Sequence, residues 1–256
     1  MYKIKNFTDN DDVRIIDQLG PFQVVEYKRD LSVMPSEAMI AYYCNEMNVR
    51  KRQVICDVGM SNITLQAGAM QWTVGNVNAT TGIKGVGDLF GKALRGSVTG
   101  ESAIKPEYTG NGTLVLEPTY KHILLIDTAD WNGSVVLDDG LFLACESKLK
   151  HKAVARSNFS SAVAGGEGLF NLGIQGNGIL CLESKCPKEE LIEVELNDDV
   201  LKVDGNFAIA WSGSLNFTVE RSGKSLVGSA ASGEGLVNVY RGTGRVLLAP
   251  VTKGFA

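Results

Sequence analysis

Histidine occurs twice in the 256 residues and proline six times, cysteine in an odd set of five, and no run of about 18 uncharged apolar residues occurs anywhere. Each shortage closes a route. An imidazole base could only be His122, beside the apolar run Ile123-Leu124-Leu125-Ile126, or His151, in what reads as a basic turn, and both read as structural or solvated. Cys44, Cys56, Cys145, Cys181 and Cys186 lack the second pair that a zinc site needs, so reduced thiols are expected, with no metal and no disulfide framework. Met1 to Asn6 lead into Asp9-Asn10-Asp11-Asp12 without an apolar segment, from which a cytoplasmic protein is expected, neither secreted nor membrane-spanning. Basic and acidic residues number 25 and 29, a net charge of -4, which leaves no basic surface of the strength that nucleic acid demands. No Gly-x-Ser-x-Gly elbow is present, Gly223-Lys224-Ser225 lacks the upstream glycine of a phosphate-binding loop, where Thr218 stands, and Gly85-Val86-Gly87-Asp88-Leu89-Phe90 fails the dinucleotide fingerprint at its last glycine. No cofactor and no enzymatic activity are expected.

What the chain has in quantity is glycine, 29 residues, and much of it recurs in register. Gly100-Glu101-Ser102, Gly166-Glu167-Gly168 and Gly233-Glu234-Gly235 stand 66 and 67 residues apart. Each is followed by a Gly-x-Gly turn, Gly110-Asn111-Gly112, Gly176-Asn177-Gly178 and Gly242-Thr243-Gly244, and the turn opens an apolar strand such as Ile179-Leu180-Cys181-Leu182. Val135 to Phe142 and Val200 to Phe207 repeat at a similar interval.

Strand signals dominate between these markers. Ile192, Val194 and Leu196 alternate with Glu193 and Glu195, Asn197-Asp198-Asp199 reads as a turn, and Asp204-Gly205 as a hairpin before Phe207 to Ala210. No amphipathic pattern holds over 12 residues, and a short helix is expected only in Val86 to Leu94. The expected fold is therefore all-β, with three related modules over approximately 22–99, 100–165 and 166–256 in one compact pseudo-threefold body.

Gly166-Glu167-Gly168-Leu169-Phe170 and its two counterparts, Pro35 to Ile40, and the terminal Gly242 to Leu248 together resemble the altered-inheritance-of-mitochondria family, from about Phe22 to Pro250. The resemblance implies a fold similar to the tryptophan RNA-binding attenuator protein, of double-stranded β-helix or sandwich type, with three modules fused. It implies no activity, since the bacterial members were long a domain of unknown function.

The repeated Glu101, Glu167 and Glu234 are the candidate ligand-binding residues, because threefold symmetry could aim three carboxylates at one axis. A glutamate between glycines also recurs for a plainer reason, as an acceptor for backbone N–H groups of its own loop. Trp72, Trp131 and Trp211 read as core or interface residues. The function expected is that of a noncatalytic structural or interaction protein, a homo-oligomer, with Val86 to Val98 and its Lys92 and Arg95 as a peripheral membrane contact. The alternative is a small-ligand or RNA-binding module working through grooves between lobes.

Overall fold

A computed structural model describes residues 2–29, 32–81, 105–155, 170–221 and 236–250. It is all-β, as the alternation predicts, and every strand pair in it is antiparallel. One sheet has nine strands: β1 (Val13–Leu19), β2 (Phe22–Tyr27), β3 (Arg52–Asp57), β4 (Ile63–Leu65), β5 (Met70–Thr80), β6 (Glu107–Leu116), β7 (His122–Asp127), β9 (Phe142–Glu146) and β12 (Ile179–Ser184). Its order is β1-β2-β3-β6-β4-β9-β12-β7 with β5 paired to β6, and β1 approaches β7, so the sheet curls toward a barrel. The second sheet has seven strands, β8 (Ser134–Leu137), β10 (Lys150–Ala155), β11 (Phe170–Gln175), β13 (Ile192–Asp204), β14 (Ala208–Ser212), β15 (Asn216–Arg221) and β16 (Leu236–Leu248), ordered β10-β11-β8-β14-β16-β13 with β15 on β16.

Uninterrupted apolar runs mark the strands that lie between two cores. On β7, Ile123 and Leu125 point into the interior of the nine-stranded sheet with Phe22, Val54 and Leu114. Leu124 and Ile126 point the other way, into a layer shared with Val135, Leu137, Leu172 and Ile174 of the seven-stranded sheet. β12 divides in the same manner, Ile179 and Cys181 inward and Leu180 and Leu182 between the sheets. β8 sends Val136 to a third cluster with Trp211, Tyr240 and Val246. A strand buried on both faces has no place for polar alternation, which accounts for Ile123-Leu124-Leu125-Ile126.

β5 pairs with β6 across the expected boundary at 99/100 and β10 with β11 across that at 165/166, and between Thr128 and Ser184 β9 and β12 belong to the nine-stranded sheet and β8, β10 and β11 to the other. The Gly-x-Gly elements share a backbone geometry, with φ of +119° at Gly110, +112° at Gly176 and +117° at Gly242. Only the middle one separates two strands; the others lie within β6 and β16, whose pairing continues past them. The turn expected at Asn197 to Asp199 is likewise a bulge inside β13, facing Gly242 to Gly244, where Asp198 takes φ +51° and its N–H donates to Thr243 Oγ1 at 3.0 Å. Helix is found where none was predicted, at α1 (Ala38–Glu46), while Val86 to Leu94 lies outside the described residues.

At Gly110 a Cβ would stand 2.1 Å from the Asn76 carbonyl oxygen of the paired strand. Gly140 has φ +75° but nothing within 4 Å. Gly110→Ala should therefore lower the unfolding free energy by about 3 kcal/mol and Gly140→Ala by about 1 kcal/mol, as read from guanidinium denaturation. Equal effects would show that strand pairing at Asn76 yields to the added methyl.

Candidate functional site

Three neighbouring strands build a charge ladder beside α1. In register, Arg14 of β1 faces Glu26 of β2, and Glu26 faces Arg52 of β3. Arg14 donates to Glu26 Oε1 from Nη2 at 2.7 Å and from Nε at 3.1 Å, and Arg52 Nη2 lies 2.8 Å from Oε2. Arg50, two residues before Arg52, adds a third guanidinium through Nη1 at 3.0 Å. Glu26 and Arg52 are each 2% exposed. Burial pushes the Glu26 carboxyl up, but the hydrogen bonds of Arg14 and Arg50 and the charges of Arg52 and Arg14 together hold it below the usual range. Burial draws Arg52 downward, against the pull of Glu26 and with the help of Arg50 and Arg14.

The same arginines hold the end of α1. Arg50 Nε donates to the Asn45 carbonyl at 3.0 Å, and Arg52 Nη2 to the Asn48 carbonyl at 3.1 Å and Oδ1 at 2.7 Å. The Val49 N–H closes on the Cys44 carbonyl at 2.8 Å, and Asn45 Nδ2 donates to the Lys28 carbonyl. Along its flank the helix is barely covered: none of its nine residues is buried. Met39 (71% exposed), Tyr43 (62%) and Met47 (77%), at i, i+4 and i+8, form one outward apolar stripe, with Met34 (63%) before it. The side that carries the half-buried Ala41, Cys44 and Asn45 walls a groove of about 560 Å³, also lined by Ile40, Tyr27, Arg29, Arg50 and Tyr120.

Two further places have some chemical potential. Between the sheets a groove of about 340 Å³ is bounded by Leu124 and Ile126 on one side and Arg245 and Leu247 on the other. There the Arg245 guanidinium lies 5.6 Å from the Trp131 ring centre and pairs with Glu193 at 3.1 Å. In the other place, Cys145 Sγ lies 3.4 Å from His151 Nε2, with Phe142 edge-on to the imidazole and Lys105 Nζ 4.0 Å over the Phe142 ring. Burial pushes the thiol up to about 12, Glu146 adding to it and Lys105 opposing, while burial and the Lys105 charge press His151 down to about 4. Both groups are neutral at pH 7, the reverse of an activated thiolate–imidazolium pair.

His151 thus stands in β10 rather than in a basic turn, facing inward between the exposed Lys150 and Lys152; the period of two in Lys-His-Lys was the available signal. His122 is half-buried at the start of β7, lowered by burial and then by Arg52. Trp131 and Trp211 are core residues, Trp211 tilted against Phe217 and edge-on to Tyr240, whereas Trp72 is half-buried against Phe7. Four cysteines are buried and Cys44 is half-buried, all as free thiols. Glu101, Glu167 and Glu234 lie outside the described residues, as do Val86 to Val98 with Lys92 and Arg95. Among the described residues no group of three or more His, Cys, Asp or Glu is placed to hold a metal ion.

Comparison with known proteins finds a family model, described as mitochondrial biogenesis AIM24, matching residues 48–251. It begins just after α1, so Arg50 and Arg52 fall inside the matched span and Arg14, Glu26 and the helix precede it; the resemblance expected from Phe22 starts later. An uncharacterized protein of Streptococcus pyogenes serotype M6 is 29% identical over 195 residues, 73% of this chain and 76% of that protein. The X-ray crystal structure of a Streptococcus pyogenes protein, SPYM3_0169, is similar with a TM-score of 0.59 and 26% identity, over 80% of this chain and 90% of that one.

Removing Glu26 leaves three guanidiniums without their carboxylate. Glu26→Ala should cost about 4 kcal/mol of stability, and adding Arg52→Met should recover part of it, so the two changes are non-additive in denaturant unfolding; strict additivity would show that the ladder is not a coupled unit. His151 gives a separate pH dependence. Its folded value near 4 lies below the ordinary 6.5, so the neutral ring's contribution is complete above pH 6.5 and falls as pH drops from there toward 4. Between pH 7 and pH 5 the wild type should lose about 2 kcal/mol that His151→Gln does not lose. The carboxylate of Glu26 is lowered from an ordinary 4.5, so its own loss begins below this window. Parallel stability curves for the two proteins would show that His151 is not the group responsible.

Proposed function

The chain belongs to the AIM24 mitochondrial biogenesis family, and we propose that it is a noncatalytic interaction protein that self-associates through the outward stripe of α1. The family description names a process and no reaction. Support for a noncatalytic role comes from the Cys145–His151 pair, which is the nearest thing to a nucleophile and base among the described residues and is held neutral.

The observation that carries the reading is the uncovered stripe of Met39, Tyr43 and Met47. Large apolar side chains aligned on a helix are normally buried, and an exposed set marks a surface that another body covers. A second copy fits this surface best. The stripe maps onto itself under a twofold rotation across the helix, and methionine and tyrosine are favoured interface residues. Among the described residues no helix is long and apolar enough to cross a membrane.

Light scattering coupled to size-exclusion chromatography tests this on the full chain. The wild type should run as a defined oligomer, and Met39→Glu with Tyr43→Glu, checked for an unchanged circular dichroism spectrum, should dissociate at least roughly 100-fold more readily. A monomeric wild type at high micromolar concentration, or an oligomer indifferent to the substitutions, would overturn the reading. Flotation of the monomer with anionic vesicles, lost in the double variant, would assign the stripe to a membrane surface instead.

A further inference from the structure

We infer that the groove beneath α1 is a binding site for an amphipathic monoanion of the fatty-acid class, its carboxylate at Arg50 and its hydrocarbon along Ile40, Ala41 and Tyr120. The site does not include Met39, Tyr43 or Met47, so it stands or falls apart from self-association.

The first argument is charge. Three guanidiniums, Arg14, Arg50 and Arg52, converge on the single carboxylate of Glu26, and that node therefore carries a surplus of two positive charges, one of them on the buried Arg52. Arg50 brings this surplus to the groove, for it is the one member of the node that also lines it. The other charged lining groups are Arg29, which is paired with Asp12 at 2.5 Å, Lys51 and Glu37. Glu37, at the opposite end of α1 from Arg50, makes a second negative head group unwelcome and gives the groove a polarity. The Asn45 carbonyl at the helix C-terminus would also disfavour an anion, and Arg50 Nε covers it.

The second argument is lining. Val33, Ala38, Ile40, Ala41 and Val49 give the groove apolar walls, and its volume of about 560 Å³ falls within the roughly 300–1,000 Å³ of small-molecule sites. A small inorganic anion would leave those walls wet, and a neutral hydrocarbon would leave the surplus charge of the three-arginine node unanswered. A carboxylate with a medium-length chain satisfies both, with Arg50 Nη2 as its donor, since Nε and Nη1 serve the Asn45 carbonyl and Glu26.

Titration calorimetry of the full-length protein with decanoate and with decanol, below their aggregation concentrations, tests the proposal. Decanoate should bind at least tenfold more tightly than decanol, and each added methylene from octanoate to dodecanoate should tighten binding up to about fourfold. Arg50→Gln should abolish the preference for the acid. Because Arg50 also supports Glu26, Ala41→Trp is the companion variant: it fills the groove without touching the ladder and should block both ligands. The Met39→Glu, Tyr43→Glu variant should bind decanoate as the wild type does, which separates this site from the oligomer. Equal binding of acid and alcohol, decanoate binding unchanged in Ala41→Trp, or binding to anionic vesicles without any binding of free decanoate would each overturn the proposal.

Discussion

The structure depends on one seam of apolar side chains between two antiparallel sheets. Leu124, Ile126, Leu180 and Leu182 from one sheet meet Val135, Leu137, Leu172 and Ile174 from the other. β7, β12 and β8 are committed on their second faces as well, β7 and β12 to the interior of the nine-stranded sheet and β8 to the Trp211 cluster. A single layer thus couples three clusters, and a slip of one residue in β7 or β12 would exchange two cores at once rather than expose one. The chain between Thr128 and Ser184 passes repeatedly from sheet to sheet. That weaving is why 65-residue units, each marginal alone, need not behave as separate lobes.

Away from the seam a different kind of interaction takes over. β1 carries no apolar core comparable to β7, and what fixes it and the start of β3 to β2 is a ladder of opposite charges with Glu26 in the middle. Three arginines to one glutamate is an unbalanced arrangement for a structural ion pair, since a buried charge gains by having its partner and little by having company of its own sign. Backbone carbonyls at Asn45, Asn48 and Arg50 take up several of the remaining donors, which ties the helix and the segment after it to the ladder.

How much of this was legible in sequence follows from which signals are local. Alternation at Ile192 to Leu196 names its strand correctly, and Ile179 to Leu182, read as a strand after its Gly-x-Gly, is β12, since burial on one face or two writes itself into successive residues. The Gly-x-Gly elements were visible as repeats, but a turn and a bulge ask for the same glycine at positive φ, and only the partner strand decides between them. Arg14, Glu26 and Arg52 are far apart in the chain and become a ladder only once register is known. α1 escaped because Ala38 to Tyr43 is apolar on all sides and short, so it has no period to detect. Glu101, Glu167 and Glu234, the residues that symmetry singled out, fall outside the described residues and keep the standing that the sequence alone gives them.

The helix that sequence missed is also the element that energetics would not preserve without a use. Nine residues do not hold a helix in water unaided, and this one buries no side chain that could hold it by packing. It is kept by its end, through Arg50 on Asn45, Val49 on Cys44 and Asn45 on Lys28, and by the half-buried Ala41, Cys44 and Asn45. Polar anchoring of this type leaves Met39, Tyr43 and Met47 in water, each forgoing about 1.5–3 kcal/mol that burial would return. Lysine or glutamate at those three positions would keep the helix and remove that deficit. Their presence as methionine and tyrosine is therefore an argument that the stripe is covered when the protein works, and that the anchored end exists to hold it out toward whatever covers it.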